Sequence, residues 1–188
     1  MKVAVLAVQG AFEEQKQMLQ KLGVETVELR QKEDVQQEYD GLILPGGEST
    51  VQRKLLQELD MYKELKKRIT DGLPVLATCA GLILLAEEVE EEETNGLQTL
   101  PVVVKRNAYG RQLGSFHTDE EFGDLGKVPM TFIRAPYIDS VKDGVQVLAE
   151  VDDKIVAVQY KNQLAMAFHP ELDESTKIHE MFLNLIRG

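Results

Sequence analysis

The N-terminal half alternates strand-like with helix-like segments, and that alternation restricts the fold more than any other feature. "KVAVLAVQ" is a near-continuous, valine-rich apolar run. Such a run reads as a strand buried on both faces, as in parallel sheets. Residues 11–22 follow with Phe12, Leu19 and Leu22 on one helix face, and "VETVEL" (24–29) is a second strand. "DGLILPGGEST" supplies a third strand at 41–44 and a turn. Val51, Leu55, Leu59, Leu65 and Ile69 predict helical material to about residue 70, with a break near Asp60. "LPVLAT" is a fourth strand, and 80–93 reads as a helix ending in glutamates. Strands alternating with helices imply right-handed βαβ units and a doubly wound, mostly parallel sheet.

The second half changes character. "LPVVVKR", "TFIRA", "VQVLAEV", "KIVAVQY" and "QLAMAF" are short strand-like runs separated by Gly, Asp or Asn. Additional antiparallel strands are therefore expected in the C-terminal half. A helix over 174–187 closes the chain, its apolar side being Ile178, Phe182, Leu185 and Ile186. The run "EEVEEEE" (87–93) reads as a solvated helix end, where glutamates oppose the helix dipole. No linker, internal repeat or low-complexity segment stands out, so the 188 residues are expected to form a single domain, 1–188.

Composition narrows the function. A formal net charge of −11 argues against a general nucleic-acid or anionic-membrane surface, both of which need clustered positive charge. One cysteine cannot form an internal disulfide, which fits a reducing compartment. "MKVAVLAVQGAFEEQ" meets Glu13 and Glu14 too soon for a signal peptide, and no run reaches the roughly 18 apolar residues of a membrane helix. The expected location is the cytoplasm.

The lone cysteine, Cys79, sits in "ATCAG", between a strand and a helix. That is the layout of a nucleophile elbow, with small Ala77 and Gly81 flanking it and Ala80 directly after. The N–H groups of a following helix favour a thiolate. The plainer alternative is a small buried core residue. A nucleophilic thiol needs a base, and three histidines are available. His117 lies in the polar, loop-like "SFHTDEEFG", and His179 reads as a surface or edge residue of the last helix. His169 directly follows an apolar strand, where ligands of open α/β sheets bind. Glu171, two residues on and beyond Pro170, falls on the same side of an extended segment and is placed to hold the ring. Taken alone, His169 reads more simply as a strand cap with no chemistry. In "LILPGGEST", Gly46 and Gly47 allow close approach of a backbone N–H to a substrate oxygen, as an oxyanion hole requires. A tight turn with a Ser/Thr cap is the alternative. No CxxC, HxxxH or HExxH spacing exists, so no metal site is expected.

"PGGES", "TCAG" and "FHPEL", in that order, resemble a class I glutamine amidotransferase, with His169 lying 90 residues beyond Cys79. The resemblance runs nearly end to end and is nearest to the glutaminase subunits of two-component pyridoxal 5′-phosphate synthases. It includes "VAVLAVQGAFEEQ", "VVVKRNAYGRQLGSF" and "FIRAPYI". Where other members typically carry a "CLGxQ"-like stretch, this chain has "CAGLIL"; Ala77 also replaces a usual glycine, a departure of one methyl group. The resemblance implies a flavodoxin-like fold and a Cys79–His169–Glu171 triad. It implies an oxyanion hole at Gly47 and Ala80, and L-glutamine binding by Gly46, Gly47, Glu48, Arg106, Ile133 and Arg134. It implies no cofactor, and as partner a (β/α)8-barrel synthase subunit that takes up the ammonia. Docking near the glycine turn, including Gln9 and Gly10, is expected to hold the productive orientation. An arginine suits the α-carboxylate through two parallel hydrogen bonds, though surface ion pairing is the simpler reading of each. A glutaminase serving another amidotransferase is the nearest alternative. A glyoxalase-like cysteine hydrolase shares the elbow, but "FHPEL" with "PGGES" speaks against it. A silent binding module would have no reason to keep all three triad residues.

Overall fold

The computed structural model describes residues 1–93, 96–106 and 115–188. The N-terminal half contains strands β1 (Lys2–Leu6), β2 (Glu25–Leu29), β3 (Gly41–Leu44), β4 (Val75–Thr78) and β5 (Ala86–Val89). Its helices are α1 (Phe12–Lys21), α2 (Lys32–Val35), α3 (Ser49–Glu58), α4 (Tyr62–Thr70) and α5 (Ala80–Leu85). There follow β6 (Leu100–Lys105), β7 (Ser115–Glu121), β8 (Lys127–Ile133), β9 (Tyr137–Val141), β10 (Gln146–Val151), β11 (Lys154–Tyr160), β12 (Gln163–Met166) and α6 (Lys177–Arg187). The large sheet has the order β2-β1-β3-β4-β12-β11-β9-β6-β5, with β10 beside β11; β7 and β8 form a separate two-stranded sheet.

Strands β2, β1, β3, β4 and β12 are parallel neighbours. β1 is buried beyond Lys2, as its continuous apolarity predicts, and β3, β4 and β12 are buried at every position. Strand order reverses around β1, which puts the ends of β1 and β3 at a topological switch point. The break near Asp60 separates α3 from α4, with Asp60 in the left-handed region at φ 56°.

The C-terminal strands pair antiparallel in β6–β9, β9–β11, β10–β11 and β11–β12. β12 departs from that pattern on its other edge, where it joins β4 in parallel from Gln163↔Val75 to Met166↔Thr78. This pairing brings the chain after β12 beside the chain after β4.

The expected helix over 80–93 ends at Leu85. Ala86–Val89 is instead an edge strand, parallel to β6 through Ala86↔Leu100, Glu88↔Val103 and Val89↔Val104. Burial of Ala86 and Val89 against the sheet outweighs the helix preference of glutamate. Glu87 and Glu88 both pair with Lys142, and Glu90 meets Lys105 at 3.8 Å. The glutamates thus charge a sheet edge, which discourages edge-to-edge association. Helix α6 starts three residues later than expected and buries Ile178, His179, Phe182 and Leu183, with Leu185 and Ile186 half-buried. Among the described residues no helix is long and apolar enough to cross a membrane.

Candidate active site

β4 ends in a sharp turn at Cys79, whose φ of 49° and ψ of −102° are rarely adopted by a residue with a side chain. The turn is braced where Cys79 N–H donates to the Met166 carbonyl of β12 at 2.8 Å. It also requires Gly81, because a Cβ there would stand 2.2 Å from the Leu44 carbonyl oxygen. Close packing of α5 on β3 thus explains the small residue two positions after Cys79. Ala80 opens α5, so its N–H has no intrahelical acceptor.

His169 and Glu171 occupy the turn after β12. His169 Nδ1 lies 2.7 Å from Glu171 Oε1 and both residues are buried, which leaves Nε2 for the cysteine. Burial alone would push the His169 pKa down. Hydrogen bonds to Cys79 and Glu171, with the charge of both groups, override it and raise the pKa to about 10. An imidazolium between sulfur and carboxylate is thereby stabilised, which is the form the ring reaches when it takes the cysteine proton.

A cleft of about 750 Å³ opens over this pair. Its lining includes Gly46, Gly47, Glu48, Cys79, Ala80, Arg106, Ile133, Arg134 and His169. Every site residue expected from sequence is there except Glu171, which stands behind the imidazole. A Cβ on Gly46 would fall 2.4 Å from His169 Cε1, so this glycine is what lets the turn and the ring meet. Residues 107–114, the "NAYGRQLG" part of the resemblance, lie outside the described residues.

The turn after β3 is held by Gln9, which the sequence had associated with it, and by Ala11 and Gln52, which it had not. Ala11 N–H donates to the Gly46 carbonyl at 2.9 Å, and Glu48 N–H donates to Gln9 Oε1 at 2.8 Å. Buried Gln52 donates to the Gln9 and Pro45 carbonyls, both at 3.2 Å, and so ties the two loops together. Its signal was a polar residue on the inner face of α3, three positions after Ser49. The two arginines differ. Arg106 donates to Ser49 Oγ at 2.6 Å and ion-pairs with Glu92. Arg134 is exposed at the cleft, with φ 46°, and makes no ion pair among the described residues.

The other two histidines differ from their sequence readings. His117 is in β7, not a loop, because its segment pairs along its whole length with β8. His179 is fully buried and bonds Gln15 Oε1 through Nε2 at 2.7 Å; burial pushes its pKa down to about 4. Neither lines the cleft. Among the described residues no group of three or more His, Cys, Asp or Glu is arranged to hold a metal ion.

Known proteins match this chain along its length. The pyridoxal 5′-phosphate synthase subunit PdxT of Desulfitobacterium hafniense (strain DSM 10664 / DCB-2) is 64% identical, over 100% of this chain and 94% of the relative. The protein of the same name from Streptococcus pneumoniae (strain ATCC 700669 / Spain 23F-1) is 52% identical, over 100% and 98%. A crystal structure of a glutamine amidotransferase superposes with a TM-score of 0.94 at 44% identity, covering 99% of each chain. The model of the SNO glutamine amidotransferase family matches residues 5–187. With a cysteine elbow, a histidine–glutamate turn and a glycine turn meeting in one cleft, and that match spanning nearly every residue, the chain belongs to the SNO glutamine amidotransferase family.

Proposed function

We propose that this chain is the glutamine-hydrolysing subunit of a pyridoxal 5′-phosphate synthase and releases ammonia for vitamin B6 synthesis. The observation that carries the reading is the strained Cys79 elbow beside an imidazole whose other nitrogen is on Glu171 at 2.7 Å. The name borne by relatives 64% and 52% identical supports the choice of synthase.

In this reading His169 takes the Cys79 proton and the sulfur attacks the side-chain amide carbon of L-glutamine. The N–H groups of Ala80 and the Gly47 region stabilise the oxyanion. His169 then protonates the departing nitrogen, the C–N bond breaks to release ammonia, and a glutamyl thioester remains on Cys79. Water activated by His169 releases glutamate and restores the thiol. Glu171 orients the ring and stabilises its charged form. Arg134 takes the α-carboxylate, since Arg106 is already engaged by Glu92 and Ser49. Gly46, Glu48 and Ile133 complete the glutamine site. The chemistry needs no cofactor.

The chain acts as one domain in the cytoplasm, and its ammonia passes to a (β/α)8-barrel synthase subunit. Free ammonia would protonate in water, so control by the acceptor is expected. Gln9 and Ala11 both bond the glycine turn, so a partner docked on their loop would act directly on Gly47. The test is glutamate release with and without the barrel subunit. Cys79→Ala should abolish release in a folded protein, and 6-diazo-5-oxo-norleucine should label Cys79 alone. An active Cys79→Ala protein would overturn the assignment. Full activity without the partner would remove the control model only.

A further inference from the structure

The turn that carries His169 and Glu171 is not anchored by the large sheet. The last backbone bond from this segment to that sheet is Ala167 N–H to the Val156 carbonyl, at 2.8 Å. The next is His169 N–H to the carbonyl of Thr131, at 2.9 Å, and Thr131 belongs to β8 in the small sheet. The Thr131 hydroxyl then reaches the far end of the same turn and donates to Asp173, 3.1 Å from each carboxylate oxygen. One residue thus grips both ends of a five-residue turn, by its main chain at His169 and by its side chain at Asp173. Within the turn, Leu172 N–H donates to the His169 carbonyl at 3.2 Å and Asp173 N–H to the Pro170 carbonyl at 3.3 Å. The hydroxyl is itself held: its proton is spent on Asp173, so His117 Nδ1, 3.1 Å away, donates to its oxygen. Two residues after Thr131 the same strand delivers Ile133, then Arg134, to the cleft.

We propose that Thr131, acting through Asp173, is a positioning residue for the His169–Glu171 pair. The proposal rests on the triad reading above. Thr131 touches neither the sulfur nor the cleft; it sets where the imidazole stands relative to Cys79. The small sheet thereby places the base and two glutamine-binding residues from one strand.

The test measures steady-state glutaminase kinetics with the synthase partner in excess. Thr131→Val removes the hydroxyl while keeping branched shape and the main-chain bond. Its kcat should fall roughly ten- to a hundredfold, the scale of a displacement near 1 Å at a catalytic group, with KM unchanged. Thr131→Ser restores the hydroxyl and should restore kcat, a rescue that a packing role would not give. Thr131→Val with Asp173→Ala should be no worse than either change alone. Wild-type kcat in Thr131→Val, or equal loss in Thr131→Ser, overturns the proposal. If Thr131→Val does not fold, Asp173→Ala and Asp173→Asn decide: the first should lose kcat and the second, which keeps one acceptor, should retain more. His169→Ala is run alongside. Activity in that variant would bring down the triad reading itself, whereas an inactive His169→Ala beside a fully active Thr131→Val would bring down the positioning role alone.

Discussion

Gly46→Ala tests the site through a single methyl group. Gly46 lies outside the left-handed region, so alanine is compatible with its backbone and only the space is at issue. The new Cβ would stand 2.4 Å from His169 Cε1 and 2.9 Å from Nδ1. Comfortable carbon contacts begin near 3.5 Å, so ring and turn must separate by about 1 Å. Neither side gives easily. The ring is bound to Glu171 at 2.7 Å and its main chain to Thr131 at 2.9 Å. The turn is bound by Ala11 N–H at 2.9 Å and by Gln52 at 3.2 Å. A displacement of about 1 Å at the base costs on the order of a hundredfold in rate, about 2.7 kcal/mol in the barrier. Overpacking also costs about 1–3 kcal/mol of stability, so the variant should remain folded but melt earlier. The assay is glutamate formation at saturating glutamine with the partner subunit in excess, with thermal unfolding followed in parallel. A folded Gly46→Ala protein with wild-type kcat would refute the reasoning, since it would mean the imidazole has room that the geometry denies it.

Glu171→Gln removes a charge that holds the His169 proton. The ring should then titrate well below its present value near 10, as followed by its NMR signal, with activity reduced less than in His169→Ala. Because the folded-state pKa of His169 is raised, its stabilising contribution is complete below the usual value near 6.5 and is lost as pH rises through about 10. His179 works in the opposite sense. Its folded-state pKa is lowered from 6.5 to about 4, so the stability it supports is present above pH 6.5 and lost as pH falls through 4. That shift corresponds to about 3 kcal/mol, and urea unfolding at neutral pH and near pH 4 should register a loss of that order. Gly47→Val should blunt activation by the partner. Gly47 has φ 153°, and a Cβ there would meet Gln9 Oε1 at 2.4 Å and Gly10 Cα at 2.8 Å; unchanged activation would take the turn out of the control mechanism.

The local parts of the site were legible in sequence. A buried strand, a nucleophile elbow and a glycine turn are each dictated by a few neighbouring residues, through continuous apolarity, the absence of bulky side chains and close backbone approach. His169 and Glu171 were legible as a pair by their spacing, but not for the reason expected: Pro170–Leu172 is a 3-10 turn, not an extended segment, and it is this turn that brings Glu171 Oε1 to the ring. Facts that depend on pairing distant segments were not legible. Ala86–Val89 carries helix-favouring glutamates yet is a strand, because β6, eleven residues further on, offers an edge. His179 looked exposed beside its neighbours but is buried, since α6 folds back against Gln15 of α1. The resemblance marked Arg106 and Arg134 alike, and both line the cleft, but only the folded chain brings Glu92 and Ser49 to the first and leaves the second without an ion pair among the described residues. Local sequence determined where the elbow and the glycine turn form, because elbows and turns obey short-range sterics. Tertiary structure decided how they meet, because the parallel register of β12 on β4 puts His169 beside Cys79 and Thr131 holds it there, contacts between residues far apart in the chain.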